Sequence, residues 1–284
     1  MSKVIYFVIM LATMGSSSAL LLTKSSLKGK LKELYEYRNV LRSLVEKSLF
    51  GKYKNSALGF LWHFAMPLVY IVLCFFINTE VRDRSEYYWI LVASGIMIFH
   101  MLSSSVAGGT TCFTGNSGII KKMYIPKEIL VLSQATVKLI VTAIGYAIVV
   151  LIVAVSGYGV NLLGLLLIPF ILISAYFFCV GSMLILSSIN VYFRDLQYLL
   201  GSLGLAFFVF SPIRNIASEA TGIRATVFWF NPFTYYLEAF HSIIYLKEVP
   251  DLFVLGMCFL MPVAFMLAGI IVFGYLKHGF VERL

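Results

Sequence analysis

Long runs of apolar residues separated by short polar segments dominate the chain. A membrane-crossing helix needs about 20 mainly apolar residues. Six runs meet that requirement, namely residues 58–77, 88–108, 129–156, 162–190, 199–216 and 252–276. The pattern predicts an all-α integral membrane protein with six core transmembrane helices in residues 58–276.

The first 23 residues form a hydrophobic extension, and three alternative structures fit its sequence. Val4–Leu22 fits a cleaved signal peptide, an extra membrane helix or a helix in the plane of the membrane surface. Cleavage would leave the new N-terminus outside, directly before nine Lys and Arg residues of 24–54 that belong inside. An extra hydrophobic helix that translocates only Lys3 fits the charges better.

Residues 24–57 have an amphipathic character. Within 31–50, apolar side chains recur at helical spacing on one face, and polar side chains occupy the other. The apolar face contains Leu34, Tyr37, Leu41, Leu44, Val45 and Leu49. Arg38 and Arg42 lie at its edge, where long cationic side chains can reach lipid phosphates. We expect an interface helix on the membrane surface; a soluble helix packed on another loop is the alternative.

The segment between the fifth and sixth runs is too interrupted to span a membrane. Pro212 interrupts the end of the fifth run, and Asn231-Pro232 separates two short apolar pieces. Two short helices that enter from the outside and return would account for both pieces. Irregular backbone at that depth must be buried in protein or line an aqueous cavity. Residues 217–248 are therefore predicted to form re-entrant outer gate helices.

Composition agrees with a membrane protein and excludes other classes. Of the 284 residues, 60% are hydrophobic and 12% are charged, whereas a soluble domain has about 45–50% apolar and about 25% charged residues. Soluble enzymes, disordered chains and secreted disulfide scaffolds are excluded.

The distribution of charge predicts the orientation. The chain has 22 Lys and Arg residues against 13 Asp and Glu residues, a net charge of +9. Of the 22 cations, 15 fall in segments on one side of the predicted spans and five on the other. The positive-inside rule places residues 24–57, the loop 110–128 and the tail 277–284 in the cytoplasm. We interpret the excess of positive charge as attraction to the inner leaflet of the cytoplasmic membrane, not as a sign of nucleic-acid binding.

Constellations typical of catalysis or metal binding are missing from the sequence. His63, His100, His241 and His278 are scattered, the four cysteines are isolated, and no phosphate-binding loop occurs. We therefore expect no enzyme activity, no metal and no cofactor of its own. Lys138 is the one cation deep in an apolar run; it marks a pathway or internal pair, or it reaches back toward the cytoplasmic surface.

Four motifs spread along the chain carry the most specific signal. They are Lys52-Tyr-Lys-Asn-Ser-Ala-Leu-Gly-Phe-Leu-Trp62, the segment Gly115–Glu128, the segment Asn190–Asp195 and Asn231-Pro232. Together they resemble the membrane permease subunit of type 2 ABC exporters of the polysaccharide, O-antigen and teichoic acid class. The resemblance covers about residues 30–280.

The resemblance implies a homodimeric permease that binds two copies of a separate ATPase, which binds the ATP. The loop between the second and third spans would contain a coupling helix that inserts into the ATPase. The coupling residues are Gly118, Lys121, Lys122, Tyr124, Pro126 and Glu128. An ordinary basic loop facing anionic lipid would explain the two lysines, but not the glycine-rich entry or the proline stop.

Further site residues follow from the same resemblance. The interface helix and first-span motif contribute Arg38, Arg42, Lys52, Tyr53, Lys54, Ser56, Gly59 and Trp62. Arg194 and Asp195 would brace the cytoplasmic end of the fourth span, by contact with the amphipathic helix.

A substrate path is implied at the dimer interface, between spans one and five of the two subunits. Aromatic faces stack on sugar rings and still allow sliding, although lipid-facing packing and membrane aromatic belts account equally well for most aromatics. Candidates for the path and outer gate are Trp62, Phe207, Phe210, Trp229, Phe230, Asn231, Pro232, Tyr235 and Tyr236.

The implied function is export of a lipid-linked cell-surface polysaccharide or polyol-phosphate polymer across the cytoplasmic membrane. A permease for a drug or lipid is the alternative within the same superfamily. A membrane transferase acting on lipid-linked sugars would need a carboxylate cluster or His–Asp pair at the surface. A secondary transporter would need paired intramembrane charges or an internal repeat.

Overall fold

The computed structural model describes residues 32–51, 56, 59–65, 67–69, 72–73 and 87–283. These residues form helices and connecting turns, and they contain no strand. The helices are α1 (Arg38–Phe50), α2 (Tyr88–Gly109), α3 (Ser117–Lys122), α4 (Glu128–Val155), α5 (Leu162–Tyr192), α6 (Leu196–Ser202), α7 (Gly204–Val209), α8 (Gly222–Phe230), α9 (Phe233–His241), α10 (Leu252–Leu276) and α11 (Phe280–Arg283). The predicted N-terminal extension and the motif residues Lys52, Tyr53 and Lys54 lie outside the described residues.

In the part of the chain that the structure describes, four helices are long and apolar enough to cross a membrane. They are Tyr88–Gly109, Glu128–Val155, Leu162–Tyr192 and Leu252–Gly279. These helices correspond to the second, third, fourth and sixth runs of the sequence. Most of the first run lies outside the described residues, so the count of six spans stays a prediction.

The fifth run differs from the expected continuous span. Its helix breaks at Leu203 into α6 and α7, and it ends at Val209. Gly201 and Gly204 weaken the helix at the break because glycine loses the most backbone freedom on becoming helical. Pro212 disfavours helical backbone just before it, so the chain continues in an irregular path.

Helices α5 and α10 make the most extensive contact in the described chain. A Cβ atom on Gly181 would lie 2.5 Å from the backbone carbon of Phe265, and one on Gly269 would lie 2.7 Å from the carbonyl oxygen of Gly181. Both distances are too short for a side chain, so the two backbones touch directly. Small residues allow this close approach in membrane helix pairs.

Helix α2 is the centre of the bundle and is buried over most of its length. It packs against α4, α5 and α9. On its surface, the hydroxyl of Tyr146 in α4 donates to the carbonyl of Ser94 at 2.6 Å. The same tyrosine ring stacks on Phe240 of α9, with the ring centroids 4.1 Å apart. These contacts join three helices at one point of the core.

Helix α1 packs along the first half of α4. Burial follows the two faces that the sequence predicted, with Val45 and Leu49 innermost against Phe64 and Val141. The edge arginines contact neighbours on their own segment, because the Arg42 guanidinium binds the Glu46 carboxylate at 2.8 Å. The Arg38 guanidinium lies 4.5 Å over the Tyr35 ring. The exposed Arg42–Glu46 pair contributes only a few tenths of a kcal/mol.

The predicted outer segment folds as two short helices, α8 and α9, followed by a π-helical turn, Ser242–Leu246. Every residue of α9 is buried. Its first residue, Phe233, contacts the rings of Phe99 and Phe178 in the middle of α2 and α5, with centroids 6.3 Å and 6.2 Å apart. After α9 the chain reaches Lys247, whose ammonium lies 3.7 Å over the Tyr158 ring. Helix α9 and the π-helical turn together therefore run from the middle of the bundle to one end.

The two ends of the bundle differ in charge. One end, the basic end, holds the loop 110–127 and α11, and its cations are Lys121, Lys122, Lys127, Arg194, Lys277 and Arg283. The opposite end holds the turn 156–161 and the loop 247–251.

Candidate functional site

The loop 110–127 is anchored to the bundle at both of its ends. Phe113 is completely buried, with its ring centroid 5.8 Å from that of Phe273 and 5.1 Å from that of Phe280. At the other end, Lys127 Nζ donates to the carbonyl of Lys277 at 3.0 Å. Burial lowers the pKa of Lys127, and the neighbouring Glu128 carboxylate opposes that shift. The base of the loop is thus joined to α10 and α11.

Between these anchors, helix α3 presents a short exposed segment. Ile120 packs against the core at the basic end, whereas the next four residues, 121–124, are exposed. Tyr124 is 88% exposed, and its carbonyl accepts a hydrogen bond from the Tyr37 hydroxyl at 3.3 Å. The predicted coupling residues Lys121, Lys122 and Tyr124 are therefore exposed to solvent on one short segment.

The remaining coupling candidates have structural positions around this segment. Pro126 lies in the irregular stretch that ends the loop, and its carbonyl accepts a hydrogen bond from the Ile129 amide at 3.0 Å. Glu128 begins α4, where a carboxylate stabilises the positive end of the helix dipole. Gly118 does not break the helix as expected; it lies inside α3, and a Cβ there would meet nothing within 4 Å. The helix starts instead after a 3-10 turn, Thr114–Asn116.

The Arg194-Asp195 turn contacts a different segment from the one expected. Arg194 Nη2 donates to the carbonyl of Arg283 at 3.3 Å, so its described hydrogen bond goes to the C-terminal helix and not to α1. The Arg194 side chain also lines a cavity of about 240 Å³ beside Ser117 of α3. The Asp195 carbonyl accepts from the first turns of α6, including the Tyr198 amide at 3.1 Å. The turn therefore links α5, α6 and the C-terminal end.

The described part of the first-span motif forms a turn and a 3-10 helix, Gly59–Phe64. The Gly59 amide donates to Ser56 Oγ at 3.0 Å. Gly59 has a φ of +46°, a conformation that glycine adopts without strain. Trp62 follows in the 3-10 helix and is 45% exposed.

The aromatic path candidates divide into exposed and buried residues. Phe210 and Phe230 are exposed, and Phe230 is 91% exposed. Tyr235 and Tyr236 are buried, and the Tyr236 hydroxyl donates to the carbonyl of Cys258 at 3.1 Å. Both tyrosines are therefore packed in the described core, and Tyr235 also lines a cavity of about 690 Å³ beside Trp229. Their part in a substrate path stays a prediction.

Two more candidates lie beside that core. Phe207 is partly buried, with its ring 5.7 Å from that of Phe233. The carbonyl of the partly buried Trp229 accepts a hydrogen bond from the Tyr235 hydroxyl at 2.9 Å. Phe207 therefore packs on the start of α9, and Trp229 joins α8 to α9 within the α8–α9 hairpin.

Asn231 and Pro232 form the turn of this hairpin. Asn231 Nδ2 donates to Ser211 Oγ at 2.9 Å, and Asn231 Oδ1 accepts from the Phe233 amide at 3.0 Å. The side chain therefore starts α9 and also joins it to the irregular segment after α7. Pro232 supplies a fixed φ next to the first turn of α9, where no amide donor is needed.

Glu238 is a functional candidate that the sequence reasoning missed. It is buried in α9, and its carboxylate accepts from the Ala217 amide at 2.7 Å and from the Ser218 amide at 3.1 Å. It therefore holds the segment 211–221 against the hairpin. The sequence feature that could have indicated Glu238 is its position as one acidic residue inside an apolar piece, since a buried carboxylate needs hydrogen-bond donors.

Comparison with known proteins shows the family of the chain. Residues 39–245 match the family model described as ABC-2 type transporter. The chain is 27% identical over 225 residues to the O-antigen export system permease protein RfbA of Myxococcus xanthus, covering 78% of this chain and 85% of that protein. It is 25% identical over 248 residues to the protein of that name from Klebsiella pneumoniae, covering 87% and 95%. Because the family match extends over most of the chain, from α1 to the end of the α8–α9 hairpin, the protein belongs to the ABC-2 type transporter membrane family.

Proposed function

We propose that this chain is the membrane-spanning permease subunit of an ATP-driven exporter of an O-antigen type polysaccharide. The observation that carries the proposal is the family match over residues 39–245, together with relatives named O-antigen export permeases over 85% or more of their length. The substrate is a lipid-linked glycan that crosses the cytoplasmic membrane outward, and ATP is bound by a separate ATPase subunit.

The exposed segment 121–124 is the proposed contact with the ATPase. Two lysines at the end of the short helix α3, and a tyrosine two residues beyond it, provide charge and an aromatic anchor for a groove. The anchored base supports this role, because Phe113 and Lys127 join the loop to the end of α10, the turn after it and the start of α11. A displacement of α3 by the ATPase would move these helices together with α2 and α4.

The basic end is the proposed cytoplasmic end, and the α8–α9 hairpin is the proposed outer gate. The cations at the basic end favour this orientation through the positive-inside rule. The hairpin enters from the opposite end and reaches the middle of α2, as a re-entrant pair would. The complete permease would be a homodimer, with the exposed aromatics Trp62, Phe210 and Phe230 near the path between the subunits.

The decisive experiment is co-purification of an ATPase with the tagged full-length chain, expressed together with its neighbouring genes. We expect the double substitution Lys121→Glu and Lys122→Glu to reduce ATPase recovery at least about tenfold, because charge reversal replaces attraction to acidic groups of the ATPase groove by repulsion. Lys247→Glu, at the opposite end, is the matched charge reversal and should leave recovery unchanged.

The outcomes separate the two parts of the proposal. If the unsubstituted chain recovers no ATPase, the exporter assignment is wrong. If an ATPase binds but a deletion strain still displays its surface glycan normally, the assignment of the glycan substrate is wrong.

A further inference from the structure

Lys138 places a cation beside a polar cavity near the basic end. Its Cα lies ten residues into α4, about 15 Å along the helix axis. Its ammonium donates to Ser104 Oγ at 2.9 Å and would lie 3.9 Å from a Cβ on Gly108. Ser104 and Gly108 belong to the last two turns of α2. The charge is therefore held close to the end of the bundle, inside the protein.

The cavity has a volume of about 530 Å³ and is lined by residues of α1, α2, α4 and the 3-10 helix Gly59–Phe64. Its polar lining consists of groups that can donate hydrogen bonds, namely Ser48, His63, His100, Ser104, Gln134, Lys138 and Thr142. Among the described lining residues there is no carboxylate. Burying a cation among neutral groups costs free energy. An anion in this cavity would offset part of that cost by its attraction to Lys138.

The surroundings of the cavity indicate what kind of anion can arrive. Its wall includes Trp62 of the first-span segment and Ser48 near the end of the amphipathic helix α1. Ser48 and Gln134 also line a neighbouring cavity of about 390 Å³, which extends to Asn116 beside α3. In the proposed orientation this region lies in the cytoplasmic half of the bundle. An anion attached to a lipid tail could reach it laterally while the tail stays in hydrocarbon.

We propose that this cavity binds the phosphate ester of a lipid, specifically the phosphate or diphosphate that joins an exported glycan to its lipid carrier. Lys138 supplies the charge, as a compact ammonium does for phosphate, and Gln134 and His100 add neutral donors. The choice of the glycan carrier rests on the proposed function, because a membrane phospholipid offers the same phosphate chemistry. The site would select the lipid-linked substrate at the inner leaflet before the polymer enters the path.

The test measures lipid binding by the full-length chain in phosphatidylcholine nanodiscs with native mass spectrometry. The probes are undecaprenyl diphosphate and phosphatidylglycerol. We expect undecaprenyl diphosphate to bind the unsubstituted chain, and Lys138→Met to weaken binding about tenfold or more, since a hydrogen bond to a charged group is lost. Lys138→Arg should retain most of the affinity, and Lys277→Met, the matched loss of one cation at the same end, should bind like the unsubstituted chain.

Each outcome supports or overturns the proposal. Preferential binding of the diphosphate that depends on Lys138 identifies the glycan carrier as the ligand. Equal binding of both lipids that depends on Lys138 supports the phosphate site and makes membrane phospholipid its ligand. Equal affinity of the unsubstituted chain and Lys138→Met, with unchanged melting temperatures, overturns the site. Because binding is measured without an ATPase, this failure is distinct from the failure of the exporter assignment.

Discussion

At the residue scale, two glycines determine how closely helices α5 and α10 approach. Gly181 of α5 and Gly269 of α10 face each other across the contact, and neither position has room for a Cβ. Gly274, on the same helix as Gly269, has nothing within 4 Å of the Cβ position. Glycine is therefore required at the first two positions for packing, and at the third it is only permitted.

We predict that Gly181→Ala destabilises the protein by about 1–3 kcal/mol, because the added methyl group must push apart two backbones in contact. The measurement is the melting temperature of the purified full-length chain in detergent. Gly274→Ala is the matched control and should melt like the unsubstituted chain or slightly higher, since alanine favours helix. Equal melting temperatures for Gly181→Ala and Gly274→Ala would contradict the close contact.

At the element scale, the loop 110–127 combines a fixed base with an exposed tip. The base is fixed by Phe113 and Lys127, and the tip consists of residues 121–124. A loop of this kind can transmit a displacement only if its base moves with the helices. The packing of Phe113 on Phe273 and Phe280 is therefore the contact to break.

We predict that Phe113→Ala loosens the whole loop, because removing a buried aromatic ring costs about 3–5 kcal/mol of packing. Amide hydrogen exchange in segment 110–127 should become faster, and so should exchange in α11. Tyr124→Ala removes an exposed ring of similar size and should leave exchange unchanged. If Phe113→Ala leaves exchange in the loop unaltered, the loop is not anchored by this ring.

At the scale of the whole molecule, the orientation in the membrane connects the proposed ATPase contact with the proposed outer gate. Loop 110–127 and loop 247–251 lie at opposite ends of the bundle, so a reagent confined to one side of the membrane should reach only one of them. Of the four native cysteines, Cys112, Cys179 and Cys258 are buried, and Cys74 lies outside the described residues. New cysteines at Tyr124 and Val249, which are both exposed, can therefore report on the two ends.

We predict that a membrane-impermeant maleimide labels Val249→Cys in intact spheroplasts and labels Tyr124→Cys only in inside-out vesicles. The physical basis is the excess of cations at the basic end, which disfavours its translocation. The unsubstituted chain serves as the background for labelling of native cysteines. Labelling with the reverse sidedness would invert the orientation and remove the proposed ATPase contact from the cytoplasm.

The all-helical character and the four long helices could be predicted from the sequence, because both depend on local properties. A run of apolar residues in lipid must satisfy its backbone hydrogen bonds internally, and a single helix does so without help from the rest of the chain. The two faces of α1 could be predicted for a similar reason, since helical spacing alone separates Val45 and Leu49 from their polar neighbours. The exposed lysines 121 and 122 followed from a local motif.

Other features depend on contacts between distant parts of the chain. The sequence does not indicate that Gly118 is a plain helical residue, that Arg194 binds the carbonyl of Arg283, or that the Tyr236 ring faces the core. The role of Glu238 could not be predicted either, because its partners, the amides of Ala217 and Ser218, are about 20 residues away in the sequence. Each of these roles is set by which backbone groups the packing brings within hydrogen-bond distance.

The high apolar content and the uneven distribution of charge by themselves determined that this chain is a helical membrane protein with one basic side. Hydrophobic length and the cost of translocating cations act on each segment separately, so they can be read along the chain. Only the tertiary structure decided that Lys138 extends to Ser104 beside a polar cavity. That placement depends on how α2, α4 and the 3-10 helix Gly59–Phe64 pack. The groups that surround a buried cation come from distant parts of the chain, and only packing brings them together.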